Sequence, residues 1–156
     1  MPDRIRSGKS ELDLDPVLGF MRILWGVEHA LQSASKRMEA THRITGPQRM
    51  VLRVVEQFPN LSAGDLAHAL RLHPSTVTGI LQRLVHRGLL IREVDPDDTR
   101  RVRLRVTAPA KPFIHHSKGT IEAAVARALS GAKERDITKT ERVLTSVIAE
   151  LAEAGR

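Results

Sequence analysis

The feature that most constrains the fold is a change in hydrophobic period directly after Gly88. In "PSTVTGILQRLVHRG", residues 74–88, apolar side chains recur every three or four positions, which predicts a helix that begins at Pro74 and ends at the glycine. The next segments, "LLIREV" and "RRVRLRV", alternate apolar and polar residues, which predicts two strands joined by a turn at "DPDDT". A helix that leads straight into a two-stranded ribbon is typical of few folds.

Three further helices are predicted before this one. The pair Asp15-Pro16 is an N-cap and first-turn signal, and apolar residues behind it continue at helical spacing to about Ala40. The next two helices each open with a capping box, in which a hydroxyl N-cap is followed three residues later by a polar side chain that can bond back. The two boxes are Thr45 with Gln48 and Ser62 with Asp65.

After the ribbon, Thr107 is predicted to cap a helix that runs to about Gly131. Thr138 and Glu141 then form a further predicted capping box, for a last helix with one apolar stripe. The order helix, helix, helix–turn–helix, hairpin, helix, helix predicts a mainly α protein with a small β-wing, that is, a winged helix–turn–helix. At 156 residues, the chain is expected to form a single domain.

Composition limits the classes of function. The formal net charge of +7 favours an anionic partner, either nucleic acid or an acidic membrane surface. The absence of cysteine excludes disulfides, thiolate metal sites and thiol catalysis. No apolar run approaches the roughly 20 residues of a transmembrane span, and the N-terminus lacks the apolar centre of a signal peptide. We therefore expect a cytoplasmic protein with no membrane partner.

One face of the helix at residues 74–87 has groups suited to reading DNA. At about 100° per residue, its apolar side chains cluster on one side and its polar ones on the other. The polar side contains no acid and is formed by Ser75, Thr76, Gly79, Gln82, Arg83 and His86, with Thr78 at its edge. Gly79 costs about 1 kcal/mol relative to alanine in mid-helix, which suggests close approach of the backbone to a partner. The alternative is an ordinary solvated helix with a tolerated glycine.

The return strand of the ribbon carries four arginines, at positions 100, 101, 103 and 105. Alternation predicts that Val102, Leu104 and Val106 face a core while the arginines form a solvated ridge. An arginine on such a wing can enter a narrow minor groove, where the negative potential is enhanced. Because the ribbon directly follows the acid-free helix, the two together favour double-stranded DNA as the partner.

Residues 45–107 resemble the core of the MarR (multiple-antibiotic-resistance regulator) family. The matching pieces are LSxxxLA, PSTVT, the RL…RGL segment, the DPDD wing turn and the closing VT. The resemblance implies a homodimer on a pseudopalindromic operator and a single MarR-like domain over residues 1–156. Within it, residues 15–43 would form an N-terminal dimerisation helix, residues 45–107 the DNA-binding lobe and residues 108–156 the C-terminal dimerisation helices.

The resemblance also assigns site residues. Ser75, Thr76, Thr78, Gln82 and Arg83 would face the major groove, while Arg100 matches the wing-tip arginine and Asp98 would hold it by an ion pair. Thr99 stands where the family commonly has arginine, so that one wing charge is missing or is supplied by Arg101. The complete predicted DNA-binding set is His73, Ser75, Thr76, Thr78, Gly79, Gln82, Arg83, Asp98, Arg100, Arg101 and Arg103. His73 replaces the family's usual serine cap, and Pro112 is expected to cost a hydrogen bond or to bend its helix.

Family members also take small aromatic or anionic effectors between the dimerisation helices and the DNA-binding lobe. The candidate lining residues are Trp25, His29, Met50 and Phe113. The alternative for the tryptophan is packing in the dimer interface. The histidines are not spaced as metal ligands, and the sequence contains no recognisable catalytic motif. We therefore expect no metal, no cofactor and no enzyme activity.

These observations predict a sequence-specific regulator of transcription, a homodimeric repressor relieved by a small molecule. Two alternatives use the same surface differently. A sequence-neutral DNA-binding or nucleoid-type protein would bind every duplex alike, and a winged-helix protein–protein module would ignore duplex DNA at moderate salt.

Overall fold

The computed structural model describes residues 13–154. The predicted mainly helical fold with a small β-wing is confirmed. The helices are α1 (Pro16–His42), α2 (Gly46–Gln57), α3 (Ala63–Leu70), α4 (Pro74–His86), α5 (Lys111–His115), α6 (Ile121–Leu129) and α7 (Glu134–Ala154), with one 3₁₀ turn (Ala108–Ala110) before α5. Strands β1 (Leu90–Val94) and β2 (Val102–Val106) form an antiparallel pair.

The predicted helix starts in the first half of the chain are confirmed. The Asp15 carboxylate accepts hydrogen bonds from the backbone amides of Val17 and Leu18, at 2.9 and 3.1 Å. Both capping boxes close as expected, Thr45 with Gln48 and Ser62 with Asp65. These contacts satisfy amides that the first helical turn leaves without intrahelical partners.

The hydrophobic core lies between α2, α3, α4 and the ribbon. Its fully buried members include Val51, Leu52, Leu66, Leu81 and Leu84. Leu104 of β2 is also buried, and its backbone bonds to the segment before α3: its amide donates to the Leu61 carbonyl at 3.0 Å. The core therefore fixes the base of the ribbon relative to α3 and α4.

The predicted continuous helix from Thr107 to Gly131 is wrong. Helix α5 ends at His115, because His116 has extended backbone dihedrals (φ −69°, ψ 123°) and Gly119 has a φ of 75°. A new helix then starts at the Thr120 cap. The Thr107 hydroxyl does not cap a helix either, since it donates to the Gly88 carbonyl at 2.7 Å.

The predicted capping box at Thr138 and Glu141 is also wrong. Helix α7 already begins at Glu134, and Thr138 lies inside it, where its hydroxyl donates to the Glu134 carbonyl at 3.1 Å. The earlier start places Glu134 and Asp136 in the first turn, where acidic side chains interact favourably with the helix dipole. Neither α6 nor α7 has a buried residue within the described part of the chain.

Candidate nucleic-acid interface

The two faces of α4 are divided as its periodicity predicts. Val77, Ile80, Leu81 and Leu84 are buried against the lobe. The hydroxyl, amide and guanidinium groups of the outer face are exposed: Ser75, Thr76, Thr78, Gln82 and Arg83. Such groups hydrogen-bond base edges and phosphates. Their contact with DNA stays a prediction.

The N-terminus of α4 is capped by His73. Its Nδ1 accepts a hydrogen bond from the Ser75 amide at 3.3 Å and lies 2.7 Å from the Ser75 hydroxyl oxygen. The imidazole thus takes the place of the hydroxyl cap, and the same contact engages the Ser75 hydroxyl at the front of the outer face.

Gly79 lies on this outer face and is not required by the packing of the lobe. Apart from the backbone of its own helix, a Cβ added there would meet a single atom within 4 Å, Nη2 of the Arg83 side chain at 4.0 Å. The backbone here has no positive φ. Neither crowding nor dihedral angle within the described residues therefore requires glycine at this position.

Arg101 and Arg105 lie on the exposed face of the ribbon, as alternation predicts, and Arg103 is half-buried, but each of the three has a carboxylate partner. Arg103 Nε lies 2.6 Å from Asp95 Oδ2, Arg105 Nη1 lies 3.0 Å from Glu93 Oε2, and Arg101 Nη2 lies 3.7 Å from Asp65 Oδ2. Within residues 13–154, the side chain of Arg100 has no carboxylate within 4.0 Å. Among the described residues, Arg100 therefore differs from the other three arginines in having no carboxylate partner.

The predicted ion pair between Asp98 and Arg100 is not formed. The Asp98 carboxylate instead accepts a hydrogen bond from the backbone amide of Arg100 at 3.0 Å. An aspartate that bonds to the amide two residues ahead stabilises a turn, so its oxygen is already engaged with the backbone.

The apolar face of the ribbon is buried at one end and exposed at the other. Leu104 is buried and Val106 is half-buried, whereas Val102 is 44% exposed and its partner Val94 is 60% exposed. The predicted core-facing row is thus correct for the base of the ribbon and wrong for its tip. The lobe therefore covers the apolar face of the ribbon at its base and leaves it exposed to solvent at its tip.

A cationic cleft of about 640 Å³ lies beside the outer face of α4. It is lined by Glu39, Arg43, Gln48, Gln82, Arg83, His86 and Arg87. Sequence reasoning missed Arg43 and Arg87, because they lie just beyond the ends of α1 and α4, where periodicity gives no signal. Arg87 Nη1 donates to Gln48 Oε1 at 3.3 Å, and its guanidinium lies 5.3 Å from the centre of the Phe113 ring.

A buried arginine connects the lobe to the helices that follow the ribbon. Arg49 of α2 is 3% exposed, its Nε donates to Glu122 Oε1 of α6 at 2.9 Å, and its Nη1 donates to the Phe113 carbonyl of α5. Burial raises the pKa of Glu122, but hydrogen bonding to a backbone amide and the Arg49 charge outweigh it, so that the pKa lies below its ordinary value. The carboxylate is therefore held in its ionised form.

The four residues predicted to line an effector pocket are not brought together. Phe113 lines a cleft of about 190 Å³ between α1, α2 and α5, with Met38, His42, Ile44, Arg49, Pro112, His116 and Thr120. Trp25 and Met50 are 61% and 50% exposed, His29 is also exposed, and none of the three lines this cleft. The effector remains a prediction.

Within residues 13–154, no three histidine, aspartate or glutamate side chains lie close enough together to hold a metal ion. None of the described helices combines the length and apolarity needed to cross a bilayer.

Comparison with known proteins identifies relatives of the lobe. A model described as "MarR family" matches residues 44–102. The putative transcriptional regulatory protein for the hcr operon of Thauera aromatica is 29% identical over 98 residues, which cover 63% of this chain and 57% of that protein. The homoprotocatechuate degradative operon repressor of Escherichia coli is 26% identical over 83 residues, which cover 53% and 56%. These matches span only about half the length of the curated relatives.

The fold is also found among solved structures. The S. aureus MepR–DNA complex superposes with a TM-score of 0.67 and 22% sequence identity, covering 88% of this chain and 99% of that one. At this identity the likeness establishes a shared fold.

Proposed function

We propose that the chain, whose residues 44–102 match the MarR family model, is a regulator of transcription that binds double-stranded DNA sequence-specifically. In this proposal α4 enters the major groove and the tip of the ribbon enters the adjacent minor groove. The protein acts as a repressor on a pseudopalindromic operator, as the relative from E. coli represses an operon. It works in the compartment that holds its DNA, the cytoplasm, and performs no catalysis.

The observation that carries this proposal is the outer face of α4. It exposes hydroxyls, an amide and a guanidinium, contains no carboxylate, and is adjacent to a cationic cleft. A solvated helix with no partner normally mixes charges of both signs. MepR of S. aureus, which shares this fold, has been solved as a complex with DNA, and this supports DNA as the partner in the proposal.

The active form is proposed to be a homodimer. Large apolar side chains are exposed along three helices: Val17, Ile23, Trp25, Val27 and Leu31 of α1, Val125 and Leu129 of α6, and Val143, Ile148 and Leu151 of α7. Apolar surface on this scale marks an interface. A second copy that covers it would also present a second α4, as a two-fold operator requires.

Relief by a small aromatic or anionic effector is the second part of the proposal. The cleft beside Phe113 supports it, since that cleft lies between α1 and the lobe and is mostly apolar apart from the Arg49, His42, His116 and Thr120 side chains. A ligand there would contact the same helices that Arg49 connects. Trp25, His29 and Met50 would line such a site only if a second copy of the chain, on forming the dimer, brought them next to the cleft.

The test is selection of binding sites from a random duplex library, followed by salt-titrated binding to the selected and scrambled duplexes. We expect the selected site to be a palindrome that binds at least about a thousandfold more tightly. Affinity should fall steeply with salt, because each neutralised phosphate contributes about 0.9 to the log–log slope. Equal affinity for both duplexes would identify a sequence-neutral binder, and no duplex binding would identify a protein–protein module.

A further inference from the structure

The turn at the tip of the ribbon is organised around one buried carboxylate. Asp95 is 5% exposed although it lies at the start of an exposed turn. Its Oδ1 accepts a hydrogen bond from the Asp97 amide at 2.8 Å, and its Oδ2 lies 2.6 Å from Arg103 Nε. Its own amide donates to the Arg101 carbonyl at 2.9 Å and closes the turn at its base.

The same contacts pair the Arg103 guanidinium with carboxylates, so that it is not available to bind a phosphate. Its guanidinium is held by Asp95 and also by Asp97, whose Oδ2 lies 3.3 Å from Nη2. Moving this side chain to a phosphate would leave a buried carboxylate without its counter-ion, which is costly. Burial raises the pKa of Asp95, but the hydrogen bonds from the Asp97 amide and Arg103 outweigh it and keep the pKa below its ordinary value.

The other end of the turn fixes the backbone of Arg100. The amide of Arg100 donates to the Asp98 carboxylate at 3.0 Å, and the amide of Arg101 donates to the Asp98 carbonyl at 2.9 Å. The Arg100 side chain projects from this fixed backbone, with no carboxylate within 4.0 Å in the described part of the chain. A cation on a preorganised backbone loses less conformational entropy when it binds.

We propose that Asp95 is a positioning residue of the DNA-binding wing. By holding Arg103 and the Asp97 amide, it fixes the turn so that Arg100 alone, of the four arginines on the return segment, is presented to the minor groove. Arg103 then serves the wing's shape and does not contact DNA. This inference rests on the proposed function, which supplies the groove.

The positioning role and simple electrostatics predict different effects of Asp95→Ala on DNA binding. Removal of a negative charge near DNA should, by charge alone, tighten binding to every duplex. Loss of a positioning residue should abolish the preference for A·T-rich flanks with a narrow minor groove, which is the preference that Arg100 confers. Glu93→Ala is the matched control, because it also removes a carboxylate paired with a ribbon arginine, Arg105, but leaves the turn intact.

The experiment measures the affinity of the full chain for duplexes with the same selected core and either A·T-rich or G·C-rich flanks. The variants are Asp95→Ala, Asp95→Asn, Arg100→Ala, Glu93→Ala and the double variant Asp95→Ala/Arg100→Ala. We expect Asp95→Ala to lose the flank preference as Arg100→Ala does, and the double variant to bind within about twofold of Arg100→Ala, because both act through one contact. Asp95→Asn keeps an acceptor for the Asp97 amide and should retain part of the preference.

Three results would overturn the inference. Asp95→Ala could keep the flank preference as Glu93→Ala does, its effect could add fully to that of Arg100→Ala, or Asp95→Asn could match the wild type. Circular dichroism of each variant tests folding, and if Asp95→Ala does not fold, Asp95→Asn decides between the two roles. If the wild-type protein bound all duplexes equally, the result would contradict the proposed function. It would not test whether Asp95 organises the turn.

Discussion

At the residue scale, the proposed interface depends on which side chains are left without partners by the fold. Three arginines of the return segment have carboxylate partners and Arg100 has none in the described residues, so residues of the same type in one short segment have different roles. On α4, the open space around Gly79, where an added Cβ would meet only Arg83 Nη2 at 4.0 Å, has the same importance. In the proposed function, both features give a partner access to the protein.

Gly79→Ala should stabilise the free protein and weaken its binding to DNA. An added methyl group has open space, and alanine is favoured over glycine in a helix interior by about 0.8–1 kcal/mol, so the free energy of unfolding should rise by nearly that amount. If the backbone approaches DNA at this position, the methyl group should lower affinity at least about tenfold. Urea unfolding and duplex titration of the same variant measure the two effects.

An unchanged affinity for DNA in a stabilised Gly79→Ala protein would show that the glycine is merely tolerated. Gly64→Ala is the matched control, since it makes the same substitution at an exposed glycine of α3 outside the predicted DNA-binding set, where an added Cβ would meet only Ser62 Oγ at 3.7 Å.

Gln82→Ala and Arg100→Ala should give different signatures. Gln82 is proposed to read a base, so its loss should cost about 1–3 kcal/mol of discrimination at one position per half-site and leave the salt slope nearly intact. Arg100→Ala should weaken binding to all duplexes and lower the salt slope by roughly one per protomer. Salt-titrated binding to specific and scrambled duplexes separates them, and an unchanged slope in Arg100→Ala would contradict the groove contact.

At the element scale, the important feature is the connection of α2 to α5 and α6 through Arg49. A buried guanidinium needs its counter-ion, and Glu122 supplies it from α6, a helix with no fully buried residue. Arg87, just after α4, lies over the ring of Phe113. Arg49 donates a hydrogen bond to the backbone carbonyl of the same residue. The end of α4 and the buried arginine of α2 therefore both contact one residue of α5, Phe113.

Glu122→Gln should make the stability of the protein less sensitive to acid. The pKa of this carboxyl lies below its ordinary value of 4.5, so the ion pair contributes its full stability above that pH and loses it as pH falls through the lowered pKa. At neutral pH the variant should lose about 1–3 kcal/mol, less than for a fully buried pair because Glu122 is a third exposed. Urea unfolding at several values between about pH 6 and pH 3 measures both effects.

Arg53→Gln is the matched control, because this half-exposed guanidinium lies 3.4 Å from the same Glu122 oxygen. Its loss should change the free energy of unfolding by less than about 1 kcal/mol. Equal acid sensitivity in the wild type and Glu122→Gln would show that the pair does not control the stability of the lobe.

At the scale of the whole molecule, one chain does not cover its own apolar surface. Helix α7 has no buried residue, yet Val143, Ile148 and Leu151 lie along it. Burying one such side chain contributes about 1.5–3 kcal/mol, so a second copy that covers several of them provides a large driving force.

Val143→Asp/Leu151→Asp should therefore convert a dimer to a monomer. The lobe should stay folded, since neither residue belongs to its core, but affinity for the palindrome should fall to that of a single half-site. Light scattering coupled to size-exclusion chromatography measures the mass, with Glu150→Ala as the control on an exposed polar position of the same helix. A dimeric double variant that still binds the palindrome would place the interface elsewhere.

The sequence by itself determined the features that depend on neighbours within a few positions. Caps at Asp15, Thr45 and Ser62, the two faces of α4 and the ribbon after Gly88 were all predictable, because each arises from hydrogen bonds or spacings inside one or two turns. The same local reasoning failed at Thr107 and Thr138, where a hydroxyl suited to capping bonds to a carbonyl instead.

Only the tertiary structure decided the partners of the charged residues. Arg49 and Glu122 are separated by 73 positions, and Arg101 meets Asp65 across the lobe. The exposed position of Trp25 likewise depends on how the helices are arranged in space. Pattern within a segment specifies which face a residue occupies, but the atoms that meet that face come from distant segments, and only packing brings them together.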